Sequence, residues 1–370
     1  MSSCRTNTIK PMKIKCSLDD LRCHLKRLSL VESKAVLISA DNSINLTVID
    51  RVSMSVSCSG EVLETGKAAL SCSQLLSLAK SLLAKEITLS INNGFCSIKT
   101  DTGIYRLKCL EESELPELPD VLEWQKSYTL NAKQLSEAIN STIYSASSDA
   151  TKCILCGINL QIENNILVFT TTDGHRLSLI EFKDDYQNSK LSITLPNRLC
   201  LVLQKLLNKD LEIKLLVDSK QENTCLQVSD YKITSNLLTG FYPTYQNLIP
   251  TEFETRLTIA TAPLLEAVEK ILVISSQRNG FINIELNCDN QVLILTSQVT
   301  EVGVSEIVLP AQVDGNLKIG FYGNYLLDAL KNIKANEIMI SLVNARSPVI
   351  IEPLTSQKLI YLVMPVHVKK

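Results

Sequence analysis

Hydrophobic and polar positions alternate along much of the chain, as in Asn165-Ile166-Leu167-Val168-Phe169-Thr170-Thr171, and this two-residue period predicts antiparallel strands with one face buried. Three stretches break the alternation in the same way, with a short strand, one or two polar residues and a helix opening: Lys13 to Leu21, Tyr128 to Leu135 and Leu257 to Leu265. Ser17, Asn131 and Thr261 are each suited to accept from the free amides of a first helical turn, and Pro263 suits such a turn. Each stretch then runs through strands to a second helix, opening near Ser73, Asn197 and Asn324. A β-rich segment follows each one, at Ile87–Ile91, Leu211–Val217 and Ile338–Val343. One order of elements recurs three times, which predicts three copies of an α+β domain at roughly 12–126, 127–253 and 254–370. The acidic, proline-broken run Glu111–Asp120 and the segment Tyr242–Pro250 are the expected connectors.

The helices carry a second pattern. From Ser73 to Glu86, Leu75, Leu76, Leu78, Ala79, Leu82 and Leu83 fall on one stripe, with Gln74, Ser77, Lys80, Ser81 and Lys85 opposite. Arg198, Lys205 and Lys209 recur on the second-repeat helix, and Asn324, Asp328, Lys331 and Lys334 on the third. The helix from Leu18 adds Arg22, Lys26 and Arg27. Solvated faces with cations near helix C-termini account for this pattern. On composition alone the solvated reading is the preferred one.

Composition narrows the choice. With 37 Lys+Arg against 39 Asp+Glu, the chain has no global positive field of the polybasic nucleic-acid-binding kind. Hydrophobic residues at 45% supply a sizeable core, and aromatics at 5% disfavour a base-stacking platform. Of twelve cysteines only Cys153 and Cys156 have ligand-like spacing. One C-x-x-C cannot complete a tetrahedral zinc site, and Cys153 to Ile158 reads as strand, so the cysteines are expected to be buried, reduced thiols. The longest apolar run, Leu359–Val366, is far short of the ~20 residues of a membrane span, and Met1 to Met12 is polar, so a cytoplasmic protein is expected. No P-loop, G-x-G-x-x-G, G-x-S-x-G or H-E-x-x-H occurs. A hydrolase would have to use Asp173 and His175 without any local nucleophile signature; the chain reads as a non-enzyme with no cofactor or metal.

Thr172-Asp173-Gly174-His175-Arg176-Leu177, Tyr242-Pro243-x-Tyr245-x-x-Leu248-Ile249-Pro250 and the terminal Tyr361-Leu362-Val363-Met364-Pro365-Val366 together resemble the bacterial sliding clamp family, the beta subunit of DNA polymerase III. Leu195-Pro196-Asn197-Arg198 and Asn324-Tyr325-Leu326-Leu327-Asp328-Ala329-Leu330 match as well, and the similarity runs from Met12 to the end. The resemblance implies a head-to-tail homodimer ring, sheets outside and paired helices inside, around sequence-independent duplex DNA. The implied DNA-facing residues are Arg22, Lys26, Lys80, Lys152, Asn197, Arg198, Lys205 and Lys331. Implied partners are the polymerase III alpha subunit, an ATP-driven clamp loader and other proteins with a clamp-binding motif, with a cytoplasmic, nucleoid-associated location. Their peptides would dock, by Leu and Phe anchors, between the second and third domains. The walls carried over are Leu155, Thr172, Gly174, His175, Arg176 and Leu177, then Pro243, Asn247 and Leu248, then Val363, Met364, Pro365 and Val366. Arg176 and His175 would hydrogen-bond the peptide backbone or a Gln at the rim. Tyr105 and Leu107 match one side of the family's subunit interface, and Val273 and Ile274 the other.

The chain also departs from the family pattern. It is shorter between Leu21 and Asp50 and lacks the R-x-x-x-P-I-L stretch, which removes an expected DNA-contact loop. Asn247 stands where a basic residue is common, the first eleven residues match nothing, and Val368-Lys369-Lys370 extends past the usual end. The shortened first domain motivates an alternative, a divergent paralogue acting as a peptide-binding hub without DNA sliding.

Overall fold

The computed structural model describes residues 11–111, 123–183, 190–207, 211–275, 280–299 and 302–366. Most of the acidic connector, Lys209, the first ten residues and the tail beyond Val366 lie outside them. Six α-helices occur among the described residues: α1 (Leu18–Leu28), α2 (Cys72–Ser81), α3 (Ala132–Thr142), α4 (Asn197–Leu206), α5 (Thr261–Ser275) and α6 (Gly323–Lys331).

Each helix follows a strand, and capping chemistry sets several of the joints. Ser17 Oγ accepts from the Asp20 amide at 3.4 Å, Ser71 Oγ from that of Gln74 at 3.4 Å, and Asn131 Oδ1 from that of Lys133 at 2.8 Å. Thr261 departs from expectation. It is the first residue of α5, and its hydroxyl is buried without a partner. Pro263 has no N–H, so it deletes one of the amides a Thr261 cap would bond. α2 also ends earlier than its apolar stripe suggests: Leu82 turns extended at ψ 143°, and Leu83 is 96% exposed. Arg22 reaches across from α1 to take up the freed carbonyls, donating Nε to Ala79 O at 2.9 Å and Nη2 to Leu82 O at 3.1 Å.

The chain forms two compact units, one from the chain up to Leu135 with Leu201–Leu237, the other from Ser136–Cys200 with Leu238 onward. The first holds a five-stranded sheet, in the order Gly60–Glu64, Met12–Ser17, Glu86–Asn92, Phe95–Lys99, Ile104–Lys108. Its eight-stranded sheet runs Trp124–Asn131, Glu212–Asp218, Asn223–Val228, Tyr231–Asn236, Val52–Cys58, Ile44–Ile49, Ala35–Ala40, Gly66–Ser71. The second unit holds a nine-stranded sheet, in the order Leu191–Pro196, Gly157–Glu163, Ile166–Thr172, Arg176–Lys183, Leu359–Val363, Val349–Pro353, Glu337–Leu342, Thr255–Ala260, Gln312–Val313. Its four-stranded sheet runs Gly303–Pro310, Val292–Val299, Phe281–Asn287, Leu317–Tyr322. Every pairing is antiparallel, as the alternation predicts.

The repeat proves to be finer than three copies. Strand, helix and three strands recur around each helix, and the leading strands are exchanged between successive copies. Met12–Ser17 pairs with Glu86–Asn92, while Gly66–Ser71 pairs back on Ala35–Ala40. The same exchange joins Trp124–Asn131 to Glu212–Asp218 and Leu191–Pro196 to Gly157–Glu163. It recurs between Thr255–Ala260 and Glu337–Leu342, and between Leu317–Tyr322 and Phe281–Asn287. Two further pairings join these motifs into continuous sheets: Tyr231–Asn236 on Val52–Cys58, and Arg176–Lys183 on Leu359–Val363.

Candidate functional site

The second of those joints builds the site. Leu177 pairs with Leu362 and Arg176 with Val363, so the two motifs farthest apart in sequence become neighbouring strands. Beyond the strand end the pairing continues, with the Met364 amide donating to His175 O at 2.9 Å. Beneath them Leu177, Leu179, Tyr245, Ile350, Ile360 and Leu362 form one buried cluster. Met364, Tyr242, Ile249, Phe253 and Val168 pack on it while remaining partly exposed. The Tyr242–Pro250 segment is pinned by Tyr242, whose hydroxyl donates to Thr170 O at 3.2 Å, and by Tyr245, which is 3% exposed. That leaves Pro243 and Asn247 in solvent and Leu248 52% exposed. The result is an apolar surface with an adaptable methionine, suited to an extended or turn-forming apolar peptide.

The turn at Thr172–Leu177 is held by its own polar groups. Thr172 Oγ1 donates to Arg176 O at 2.6 Å and accepts from the Gly174 amide at 3.1 Å. Gly174 lies at φ +95°, a conformation that favours glycine. Asp173 Oδ1 accepts from the amides of His175 at 2.8 Å and Arg176 at 3.1 Å. The Asp173 carboxylate is engaged by these amides and by Arg176 rather than orienting the His175 ring. That ring instead stacks on Tyr325, centroids 6.3 Å apart. The turn therefore gives the hydrolase reading no Asp–His relay.

Arg176 is engaged within the chain rather than set at an open rim. Its side chain is only 13% exposed. Nε donates to Asp173 Oδ2 at 3.1 Å, Nη1 to Asp328 Oδ2 at 2.5 Å and Nη2 to Tyr144 O at 2.8 Å. The guanidinium also lies against the rings of Tyr144 and Tyr325, at 5.5 and 4.8 Å from their centroids. Burial opposes its charge, but Asp328 and Asp173 outweigh it and hold the Arg176 pKa above its ordinary value. Arg176 is a clasp between the turn and α6, and His175 is the exposed member of this pair. Tyr325, Asp328 and Tyr144 were missed as site residues, although Asn324–Leu330 had been singled out as a motif.

Other expected wall residues are placed as follows. Leu155 is half-buried at the end of a 3-10 turn, Ala150–Leu155, where a strand was expected. Asp149 caps that turn through the Thr151 amide at 2.9 Å, and the strand starts only at Gly157. Pro365 and Val366 are half-buried, and the Val366 amide donates to Gly320 O at 2.8 Å. A Cβ at Gly320 would lie 2.5 Å from the Phe281 ring and 3.1 Å from Val366 O, so only glycine admits this approach.

The expected DNA-facing residues divide. Lys26, Lys80 and Lys205 are exposed, whereas Arg22 is committed to the end of α2. Lys331 is exposed but pairs with Glu269 on α5 at 3.2 Å. Arg198 and Asn197 are half-buried, and the Asn197 Oδ1 is itself buried. Lys152 lies against the Thr172–Leu177 turn, donating Nζ to Asp173 O at 3.2 Å. Of the expected interface residues, Tyr105 is 37% exposed and Leu107 half-buried on Ile104–Lys108, the outer strand of its sheet. Val273 is 71% exposed on the last turn of α5, next to half-buried Ile274.

Comparison with known proteins follows the same lines. The family description "DNA polymerase III beta subunit, central domain" matches residues 129–244, and "DNA polymerase III beta subunit, C-terminal domain" matches 246–367. The chain is 31% identical to the beta sliding clamp of Synechococcus elongatus, covering 97% of this chain and 100% of that protein. It is 29% identical to that of Synechocystis, covering 96% and 99%. The Bacillus subtilis sliding clamp structure superimposes with a TM-score of 0.90 at 22% identity, over 97% of this chain and 100% of that one. A Pseudomonas aeruginosa sliding clamp bound to griselimycin gives 0.89 at 21%, over 97% and 100%. The fold is thus that of the clamps. The chain belongs to the beta sliding clamp family, the beta subunit of DNA polymerase III, a processivity factor of DNA replication.

Proposed function

We propose that this chain pairs head-to-tail with a second copy into a ring that slides on duplex DNA and holds partner proteins by short peptides. The observation that carries the peptide part is the convergence of Thr172–Leu177, Tyr242–Pro250 and Tyr361–Val366 on one apolar surface. Three clamp domains at 12–126, 127–253 and 254–370 fit the thrice-repeated exchange of leading strands. The peptide surface then falls at the joint of the second and third domains.

Two unlike sheet edges support head-to-tail closure. Ile104–Lys108 ends one sheet with Ile104 63% and Tyr105 37% exposed. Gly303–Pro310 ends another with Val304 68% and Val308 53% exposed. Apolar outer strands invite pairing, and two different edges make a heterologous contact that closes when the rotation allows. Lys26, Lys80 and Lys205 supply exposed charge for phosphate, so the DNA contact is electrostatic and sequence-independent.

The protein acts without catalysis, as a tether for the polymerase and its loader, and works in the cytoplasm. No helix among the described residues is long and apolar enough to cross a membrane. Sedimentation at micromolar concentration is expected to give a dimer, and loaded protein to stay on nicked circular DNA but run off once the circle is cut. A monomer with no topological retention would refute the ring; peptide binding by that monomer would favour the hub reading.

A further inference from the structure

Cys153 and Cys156 were set aside in the sequence because their segment read as a strand. In the folded chain they stand at the two ends of one turn, which also carries Leu155 and begins next to Lys152, the residue that reaches the Thr172–Leu177 turn. The Cys156 amide donates to Cys153 O at 3.0 Å, closing a four-residue turn. A turn of that kind keeps its end Cα atoms within about 7 Å, inside the span a disulfide bridges. Cys153 is exposed and Cys156 half-buried. The Cys156 thiol donates to Asp149 O at 3.2 Å and contacts Lys152 O at 3.7 Å.

We propose that Cys153 and Cys156 form a reversible dithiol–disulfide pair that adjusts the wall of the peptide surface. The inference rests on the peptide-site reading above. The co-reactant is a small-molecule disulfide such as glutathione disulfide. The Cys153 thiolate attacks one of its sulfurs, breaking that S–S bond and releasing one thiolate. Cys156 then attacks the Cys153 sulfur of the mixed disulfide and expels the second thiolate. The protons of the two cysteine thiols pass to the two released thiolates, so both cysteines are oxidised and one disulfide is reduced to two thiols. Exposure makes Cys153 the entry point. Burial first, then Cys153 and Asp149, push the Cys156 thiol up, so fewer thiolates are present for the second step and its rate rests on the proximity the turn supplies.

Bond formation takes Cys156 Sγ off the Asp149 carbonyl. The same turn carries Leu155, and its Lys152 holds Asp173 O in the Thr172–Leu177 turn. The Cys156 carbonyl also accepts from the Asn197 amide at 3.0 Å, which anchors the far end of the turn. Closing the disulfide against that anchor shifts Leu155 and loosens Lys152, weakening apolar peptides.

Trypsin cleavage after Lys152 and Arg176 yields a peptide, Cys153 to Arg176, that contains these two cysteines and no others. Full-length protein equilibrated in glutathione redox buffers is expected to show this peptide, under non-reducing conditions, lighter by two hydrogens and free of glutathione. In the same samples the Kd of a fluorescein-labelled pentapeptide with an N-terminal Gln and Leu and Phe anchors is expected to rise about three- to tenfold, reversed by dithiothreitol. Cys153→Ser and Cys156→Ser are expected to bind as the reduced wild type does and to lose the response. Stable glutathionylation without the internal bond, or a bond with unchanged Kd, would overturn the proposal while leaving the peptide site intact. A reduced wild type that fails to bind the peptide would overturn the peptide site and the coupling together, whatever the mass of the tryptic fragment.

Discussion

Replacing Asp328 by Ala tests the reassignment of Arg176. The substitution removes the acceptor of Nη1 while Asp173 and the Tyr144 carbonyl keep theirs. A hydrogen bond between charged groups is worth roughly 1.5–3 kcal/mol when its loss leaves the partner buried. Arg176 is 13% exposed, but Asp328 is 41% exposed, so water repays part of the loss and about 1–2 kcal/mol remains. Urea unfolding followed by fluorescence should show this as a lower midpoint at unchanged slope. A double-mutant cycle with Arg176→Met should give a coupling of about 1 kcal/mol, since the residues share one contact. Peptide affinity provides the contrast. A clasp predicts that Arg176→Met loses stability and peptide affinity together. A rim donor predicts lost affinity at unchanged stability, and that result, or an Asp328→Ala midpoint within ~0.3 kcal/mol of wild type, would refute the clasp.

Met364→Ala should weaken peptide binding by about 1–3 kcal/mol, as truncation of a partly exposed anchor wall, and fluorescence anisotropy would detect it. Lys80→Ala and Lys205→Ala should each lower the slope of log DNA affinity against log salt by about one, measured over a salt series. Lys331→Ala should change it less, because that ammonium already holds Glu269; a flat salt response in the wild type would remove all three from the DNA face. Burial works against the Asp20 carboxylate, but the Ser59 amide and hydroxyl, His24 and the Cys58 thiol outweigh it and hold its pKa below the ordinary 3.8. A depressed carboxylate stabilises the fold above its unfolded value and loses that contribution as pH falls through the folded one. Asp20→Asn should therefore be less stable near neutrality and flatten the loss of stability below about pH 4, followed by urea midpoints across pH.

The strands were legible because a one-sided sheet writes its period into the chain. Asn165–Thr171, read from alternation, corresponds to the strand Ile166–Thr172. Helix openings were legible where the cap is local, at Ser17 and Asn131, and misread at Thr261, where a proline removes a donor. The end of α2 was not legible, because the group that terminates it, Arg22, lies on another helix. The exchange of leading strands also escaped, since pairing between strands far apart in the chain, such as Met12–Ser17 with Glu86–Asn92, leaves no period. The same holds within the site. The turn at Thr172–Leu177 is local and readable, but its clasp is a contact 152 residues long, and no spacing rule connects Arg176 to Asp328.

That division has a functional consequence. The polar groups of the turn are spent internally: Thr172 and Asp173 on its backbone and Arg176 on Asp328 and Tyr144. What the turn leaves for a partner is mainly apolar wall, with His175 as the exposed polar group and Asn247 in place of a formal charge. Affinity on such a surface follows the fit of a few anchors rather than a particular set of hydrogen bonds. Many unrelated proteins can satisfy that requirement with a short segment, whereas a site built on Arg176 as a donor would demand one acceptor in one place. The tether proposed above, shared among several proteins, would need the first kind of site. Burying the arginine removes the polar demand while using its charge to hold the wall in shape.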